Sequence, residues 1–120
     1  MASILDRARN QFRARMGSEL RVIEVPEWPD EDGHPTKIFF RPVLNFLEQE
    51  EITQLVDQGK KMEAIVRTLI LRARDSEGKA LFRKDQRVEL MRQCDPEVIA
   101  RIVTEMSEAS TIDLEEIEKN

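Results

Sequence analysis

His34 is the only histidine in the chain, and it closes a stretch that begins Asp30-Glu31-Asp32-Gly33. Three carboxylates and one imidazole within five residues are donor types that a divalent cation could use. Zinc, however, is held by several nitrogen or sulfur ligands in a tetrahedral array, and neither a second histidine nor a cysteine stands nearby. The spacing of the carboxylates fits no EF-hand, so the stretch is expected to be a solvated loop.

Asp75-Ser76-Glu77-Gly78-Lys79 invites two other chemistries and supports neither. Gly78-Lys79 lacks the second glycine and the Ser or Thr of a phosphate-binding loop, and the acidic residues lack the remaining calcium ligands. A structural turn is the better reading, with Gly78 free to take the positive φ that a side chain would resist. Cys94 has no histidine beside it to make it a nucleophile, and as the lone cysteine it forms no internal disulfide. No catalytic residue, cofactor site or metal site is therefore expected, and an enzyme is disfavoured.

The elements that carry these residues follow from period and punctuation. Ile4, Leu5, Ala8, Phe12 and Met16 share one face of a first helix that Gly17-Ser18 ends. Leu20 to Val25 and Lys37 to Arg41 read as two antiparallel strands, with a long Pro-rich, acidic connection from Pro26 to Thr36. Their register is left open, because Val22-Ile23 offers apolar groups to both faces. After Pro42, Asn45 and Glu48 have capping-box spacing, which predicts a helix over Phe46 to Gln58 with Ile52, Leu55 and Val56 inward.

Met62, Ile65, Val66, Leu69, Ile70 and Ala73 form one apolar stripe of a further helix, after which Leu81 and Phe82 are expected to re-enter the core. A shorter helix near Lys84 to Gln93 carries Val88 and Met91. Asp95 as cap, Pro96 at the first position and Glu97 in the first turn start a final helix bearing Ile99, Ile102, Val103 and Met106. The expected fold is α+β and mainly α: an N-terminal helix, a two-stranded hairpin and four amphipathic helices. Residues 1–109 form one domain, and 110–120 an acidic, flexible tail.

With 120 residues, 40% hydrophobic and 36% charged, the chain can bury one modest core. No apolar run approaches the roughly 20 residues of a membrane span, and the N-terminus has no signal-peptide pattern. A reducing cytoplasm and no membrane contact are expected. Charge is asymmetric: residues 1–19 carry four arginines, Arg7, Arg9, Arg13 and Arg15, against Asp6 and Glu19, whereas residues 105–120 carry six acidic residues against Lys119. A net charge of −5 argues against nucleic-acid binding, which draws on cations that displace counterions from phosphates.

Function is thus sought in surfaces rather than in a cleft. Trp28, between Pro26-Glu27 and Pro29, is either an anchor folding its loop onto the domain or a partner contact. Met62, Met91 and Met106 suit an adaptable contact surface, and a groove between the Met62 helix, which carries Leu69, and the Ile99 helix is the candidate partner site. Two alternatives stay open, a small protein–protein adaptor and a DNA-binding regulator using the N-terminal arginines.

The order of the pieces adds to this reading. Val25-Pro26-Glu27-Trp28, then Arg41-Pro42-Val43-Leu44, an amphipathic helix, Asp75-Ser76-Glu77-Gly78-Lys79-Ala80-Leu81-Phe82, and the helix opening Asp95-Pro96-Glu97-Val98-Ile99 together resemble the tail assembly chaperones of long-tailed, lambda-like bacteriophages in their short, unframeshifted form. The resemblance spans most of residues 20–108. It implies a non-enzymatic protein of the infected bacterial cytoplasm, absent from the mature virion. Such a protein binds and solubilises the helical tape measure protein, helps recruit the major tail protein, and can self-associate. A longer form made by ribosomal frameshifting near Lys119-Asn120 is also implied, if those codons form an A-rich slip site.

Overall fold

A computed structural model of the protein describes residues 3–17, 20–41 and 43–119, with backbone alone for 17 and 109–119. Ser18, expected to end the first helix, Pro42, expected to precede the second, and the terminal Asn120 lie outside the described residues, as do the side chains of the acidic segment from 110 on. The elements run α1 (Ile4–Gly17), β1 (Arg21–Pro29), β2 (Pro35–Phe40), α2 (Phe46–Asp57), α3 (Lys61–Arg72), β3 (Ala73–Arg74), a short 3-10 turn (Lys84–Gln86), α4 (Arg87–Gln93) and α5 (Pro96–Lys119). The protein is mainly helical, around a small antiparallel sheet of order β1-β2-β3.

One buried face sets the register of the sheet. Ile23 and Val25 point inward and Val22 and Glu24 outward, and Ile23 stands opposite Ile38, with Arg21 opposite Phe40. Slipping β1 by one residue would expose Ile23 and Val25, and slipping β2 would expose Ile38 and Phe40, so the alternation is enforced by burial. Pairing is regular from Arg21 to Val25, breaks, and resumes at Pro29 opposite Pro35. Prolines lack the N–H a ladder needs, which accounts for the irregularity around Pro26. The chain is nevertheless extended through Pro29 and again from Pro35, so the connection is Asp30–His34 and shorter than the sequence suggested.

The third strand corrects the expected hairpin. Ala73, which the spacing places at the end of the α3 stripe, has left the helix at ψ 129° and pairs with Phe40, while Arg74 pairs with Phe39. An open edge on β2 would leave backbone groups unpaired. Leaving the helix one residue early covers that edge and still buries Ala73 completely. The chain then turns tightly and returns, with the Leu81 N–H donating to the Ala73 carbonyl at 3.2 Å.

Two helices cover the sheet's inner face. Leu69 and Ile70 of α3 and Ile99, Ile102 and Met106 of α5 meet Val25, Ile38 and Phe40 in one core, with Trp28, Phe82 and Cys94 packed at its margin. The start signals act as their chemistry requires. The Glu48 N–H donates to Asn45 Oδ1 at 2.8 Å and the Asn45 N–H donates to Glu48 Oε1 at 3.1 Å, a complete capping box. At α5 the Glu97 N–H donates to Asp95 Oδ1 at 2.9 Å.

Two inward assignments change, in α2 and at Leu81, and α4 turns inward a residue the pattern does not name. In α2, Ile52 and Leu55 are half-buried and Val56 is exposed, because this helix lies over α3 without burying any residue fully. In α4, Leu90 is buried while Val88 and Met91 face outward. The preceding 3-10 turn winds at about three residues per turn and so shifts the phase with which α4 meets the core. Leu81 stays exposed and Phe82 alone packs against the core. Among the described residues no helix is long and apolar enough to cross a membrane.

Candidate functional site

Arginine–glutamate pairs fasten the helices to one another and to the sheet. Arg67 pairs with Glu51 between α3 and α2, its Nε at 2.8 Å from Glu51 Oε1; Arg87 pairs with Glu63 between α4 and α3 at 2.9 Å; and Arg101 of α5 reaches Glu27 of β1 at 2.7 Å. These charges hold the scaffold.

The densest cluster of charge lies where β2, α3 and β3 meet. Arg41 Nη2 donates to Glu48 Oε2 at 2.7 Å and to the Leu71 carbonyl at 2.8 Å, and Arg74 Nη2 donates to the same carbonyl at 3.1 Å. Arg72 is buried, donates from Nη2 to the Arg41 carbonyl at 2.9 Å, and lies 5.4 Å from the centre of the Phe40 ring. Burial, with the charges of Arg41 and Arg21 adding to it, pushes the Arg72 guanidinium down to about 10, so it stays cationic at neutral pH. Burial pushes the Glu48 carboxyl up. The Arg41 hydrogen bond, the Asn45 N–H and the charges of Arg41 and Arg74 outweigh it and hold that carboxyl below its ordinary value.

The two acidic turns are built alike. Asp30 Oδ1 accepts from the Asp32 and His34 N–H groups, both at 2.9 Å; Asp75 Oδ1 accepts from those of Glu77 at 2.8 Å and Lys79 at 3.0 Å. Gly33 and Gly78 sit at φ +82° and +85°. Asp30, Asp32 and His34 bring ligand-type atoms within 4.8 Å of one another, all exposed. Asp30 Oδ1 accepts two backbone hydrogen bonds, which defines a turn.

A different place offers a partner something to hold. Met62 and Ile65 of α3, Leu90 and Met91 of α4, and Pro96, Ile99 and Ala100 of α5 line an apolar cleft of about 140 Å³. Small-molecule sites run to roughly 300–1,000 Å³, so this cleft suits one apolar side chain rather than a cofactor. Its rim is exposed, Met62 by 67% and Met91 by 39%. Of the five residues singled out in the sequence, the structure thus brings Met62 and Met91 together. Leu69 and Met106 are fully enclosed in the core, and Trp28 is half-buried in β1 against it. Leu90, Pro96 and Ala100 were not singled out. In the sequence Pro96 signals only a helix start, and Ala100 joins the lining only once α4 folds beside it.

No family model matches the sequence, and no curated protein matches it either. Among solved structures the chain is similar in fold to the tail assembly chaperone of bacteriophage HK97, at a TM-score of 0.61 and 16% identity. The likeness covers 84% of this chain and 97% of that one. What the two share at this identity is the fold.

Proposed function

We propose that this protein is a non-enzymatic tail assembly chaperone of a long-tailed phage. It binds the tape measure protein, keeps it soluble in the infected bacterial cytoplasm, helps recruit the major tail protein, and is left out of the finished virion. The observation that carries the reading is the fold likeness to the HK97 chaperone across most of both chains.

The physical role is to cover apolar stripes. A long helix waiting for its tube exposes apolar residues that would aggregate, and a partner that inserts and receives side chains along such a stripe removes them from water. The Met62–Met91 cleft can receive one such side chain, and unbranched methionines at its rim adapt to varied shapes. The acidic surplus of the chain, net −5, keeps the complex in solution.

Co-expression tests the proposal. A long-tailed phage's tape measure protein from the same genome should accumulate in the soluble fraction when this chain is present and precipitate when it is absent. Equal solubility with and without the chain would remove the reading.

A further inference from the structure

The first helix carries an apolar stripe that the domain does not use. Ile4 is 82% exposed and Leu5 59%, and only the far end of the stripe, at Phe12 and Met16, is half-buried. Phe12 faces Leu44, Asn45, Phe46 and Gln49 across an open groove of about 350 Å³. Phe46, 94% exposed, and Leu47, 78% exposed, extend that apolar surface onto the first turn of α2. Four large apolar side chains left in water on α1 and on the first turn of α2, beside the groove that Phe12 and Phe46 line, mark a contact surface.

On the α1 side the charge is opposite in sign to that of the whole chain, whereas on the α2 side Glu48 is paired with Arg41 and Glu50 is exposed. Helical spacing puts Arg9 and Arg13, one turn apart, along one border of the stripe and Arg7 along the other. All three are exposed, and over residues 3–14 they face a single acidic residue, Asp6, which lies 3.6 Å from Arg9. Arg41, held by Glu48, stands just before the Leu44–Phe46 wall of the groove.

We propose that this arginine-bordered apolar face docks an amphipathic helix of another polypeptide whose apolar stripe is flanked by acidic residues. The stripe and the groove receive its apolar side chains, and Arg7, Arg9 and Arg13 meet its carboxylates, fixing orientation and register. Duplex DNA satisfies the arginines and leaves Ile4, Leu5, Phe46 and Leu47 in water. The surface is separate from the Met62–Met91 cleft and does not depend on the tail-assembly reading.

The test uses the full chain with three fluorescent probes at low salt: a leucine-striped helical peptide of about 20 residues flanked by glutamates, the same peptide with lysines for the glutamates, and a duplex DNA of about 20 base pairs. Anisotropy should show the acidic peptide bound, with the lysine peptide and the DNA weaker by about tenfold or more. Leu5→Asp or Phe46→Asp should abolish binding and Arg9→Glu with Arg13→Glu should weaken it, while circular dichroism stays unchanged, since all four side chains are exposed. Equal binding of the two peptides, tighter binding of DNA, or binding that survives Leu5→Asp and Phe46→Asp would overturn the proposal. So would a concentration-dependent dimer of the chain alone that Leu5→Asp dissolves.

Discussion

Asp30 and Asp75 close two hairpin turns with the same set of hydrogen bonds. Each side-chain Oδ1 accepts from the N–H groups two and four residues on, and each backbone N–H donates to the carbonyl four residues on, at 2.7 Å from Asp30 to His34 and 2.8 Å from Asp75 to Lys79. The glycine three residues on donates back to the aspartate carbonyl at 3.0 Å in both. Asp-Glu-Asp-Gly-His and Asp-Ser-Glu-Gly-Lys are thus one turn written twice, the first joining β1 to β2 and the second returning the chain from β3.

The glycines make this turn conditional. At φ near +80° a side chain is strained even where space is free, and nothing lies within 4 Å of a Cβ at Gly33. Gly33→Ala and Gly78→Ala should each destabilise the protein by about 1 kcal/mol, read from urea unfolding midpoints with unchanged slopes. Unaltered midpoints would show that neither φ is enforced.

Asp75 also makes stability depend on pH. The Lys79 N–H, opposed by desolvation and joined by the Glu77 N–H, the Lys79 charge and the Gly78 N–H, lowers its carboxyl below the ordinary aspartate value. A depressed folded-state value contributes stability that is present above the unfolded value and lost as pH falls through the folded one. The wild-type advantage over Asp75→Asn should therefore be full at neutral pH and vanish on acidification through the carboxylate range. A difference that grows in acid would contradict the assignment.

Glu48 serves two structures at once, capping α2 and balancing Arg41. Asn45→Ala removes the cap alone and should cost about 1 kcal/mol. Glu48→Gln keeps an acceptor for the Asn45 N–H but removes the charge facing Arg41 and Arg74, and should cost more, about 2 kcal/mol. Chemical denaturation of the two variants orders them; a milder effect at Glu48 would show that the arginines do not need its charge.

The core and the cleft should respond oppositely to substitution. Leu69→Ala or Ile102→Ala empties a fully buried site and should cost about 3 kcal/mol. Met62→Ala, at the exposed rim, should stay within about 0.5 kcal/mol of the parent. Thermal unfolding separates the cases.

Periodicity and caps were legible in the sequence. Asn45-x-x-Glu48 and Asp95-Pro96-Glu97 place two helix starts to the residue, because a cap is satisfied by groups within one turn of chain. Ala73 was not legible, since its helical spacing competes with an open β2 edge that exists only once the sheet has formed. Nor was the inward turn of Leu90, which follows from a 3-10 start with no strong local signature. The candidate cleft was half-legible. Met62 and Met91 stood out by type, but nothing in the spacing separates a rim methionine from the enclosed Met106. Phe46 and Leu47 carry no such signal, since adjacent apolar residues on a helix can both be buried, as Leu69 and Ile70 are.

Methionine methyl NMR on the full chain, titrated with the tape measure protein, tests the central claim most directly. Met62 and Met91 line the cleft, Met16 reports on the α1 face, and Met106 sits in the core. A chaperone that takes its client through the cleft should show Met62 and Met91 shifted or broadened at stoichiometric client, with Met106 little changed. Resonances of Met62 and Met91 that stay in place while the client is demonstrably bound, or a client that does not bind at all, would contradict it.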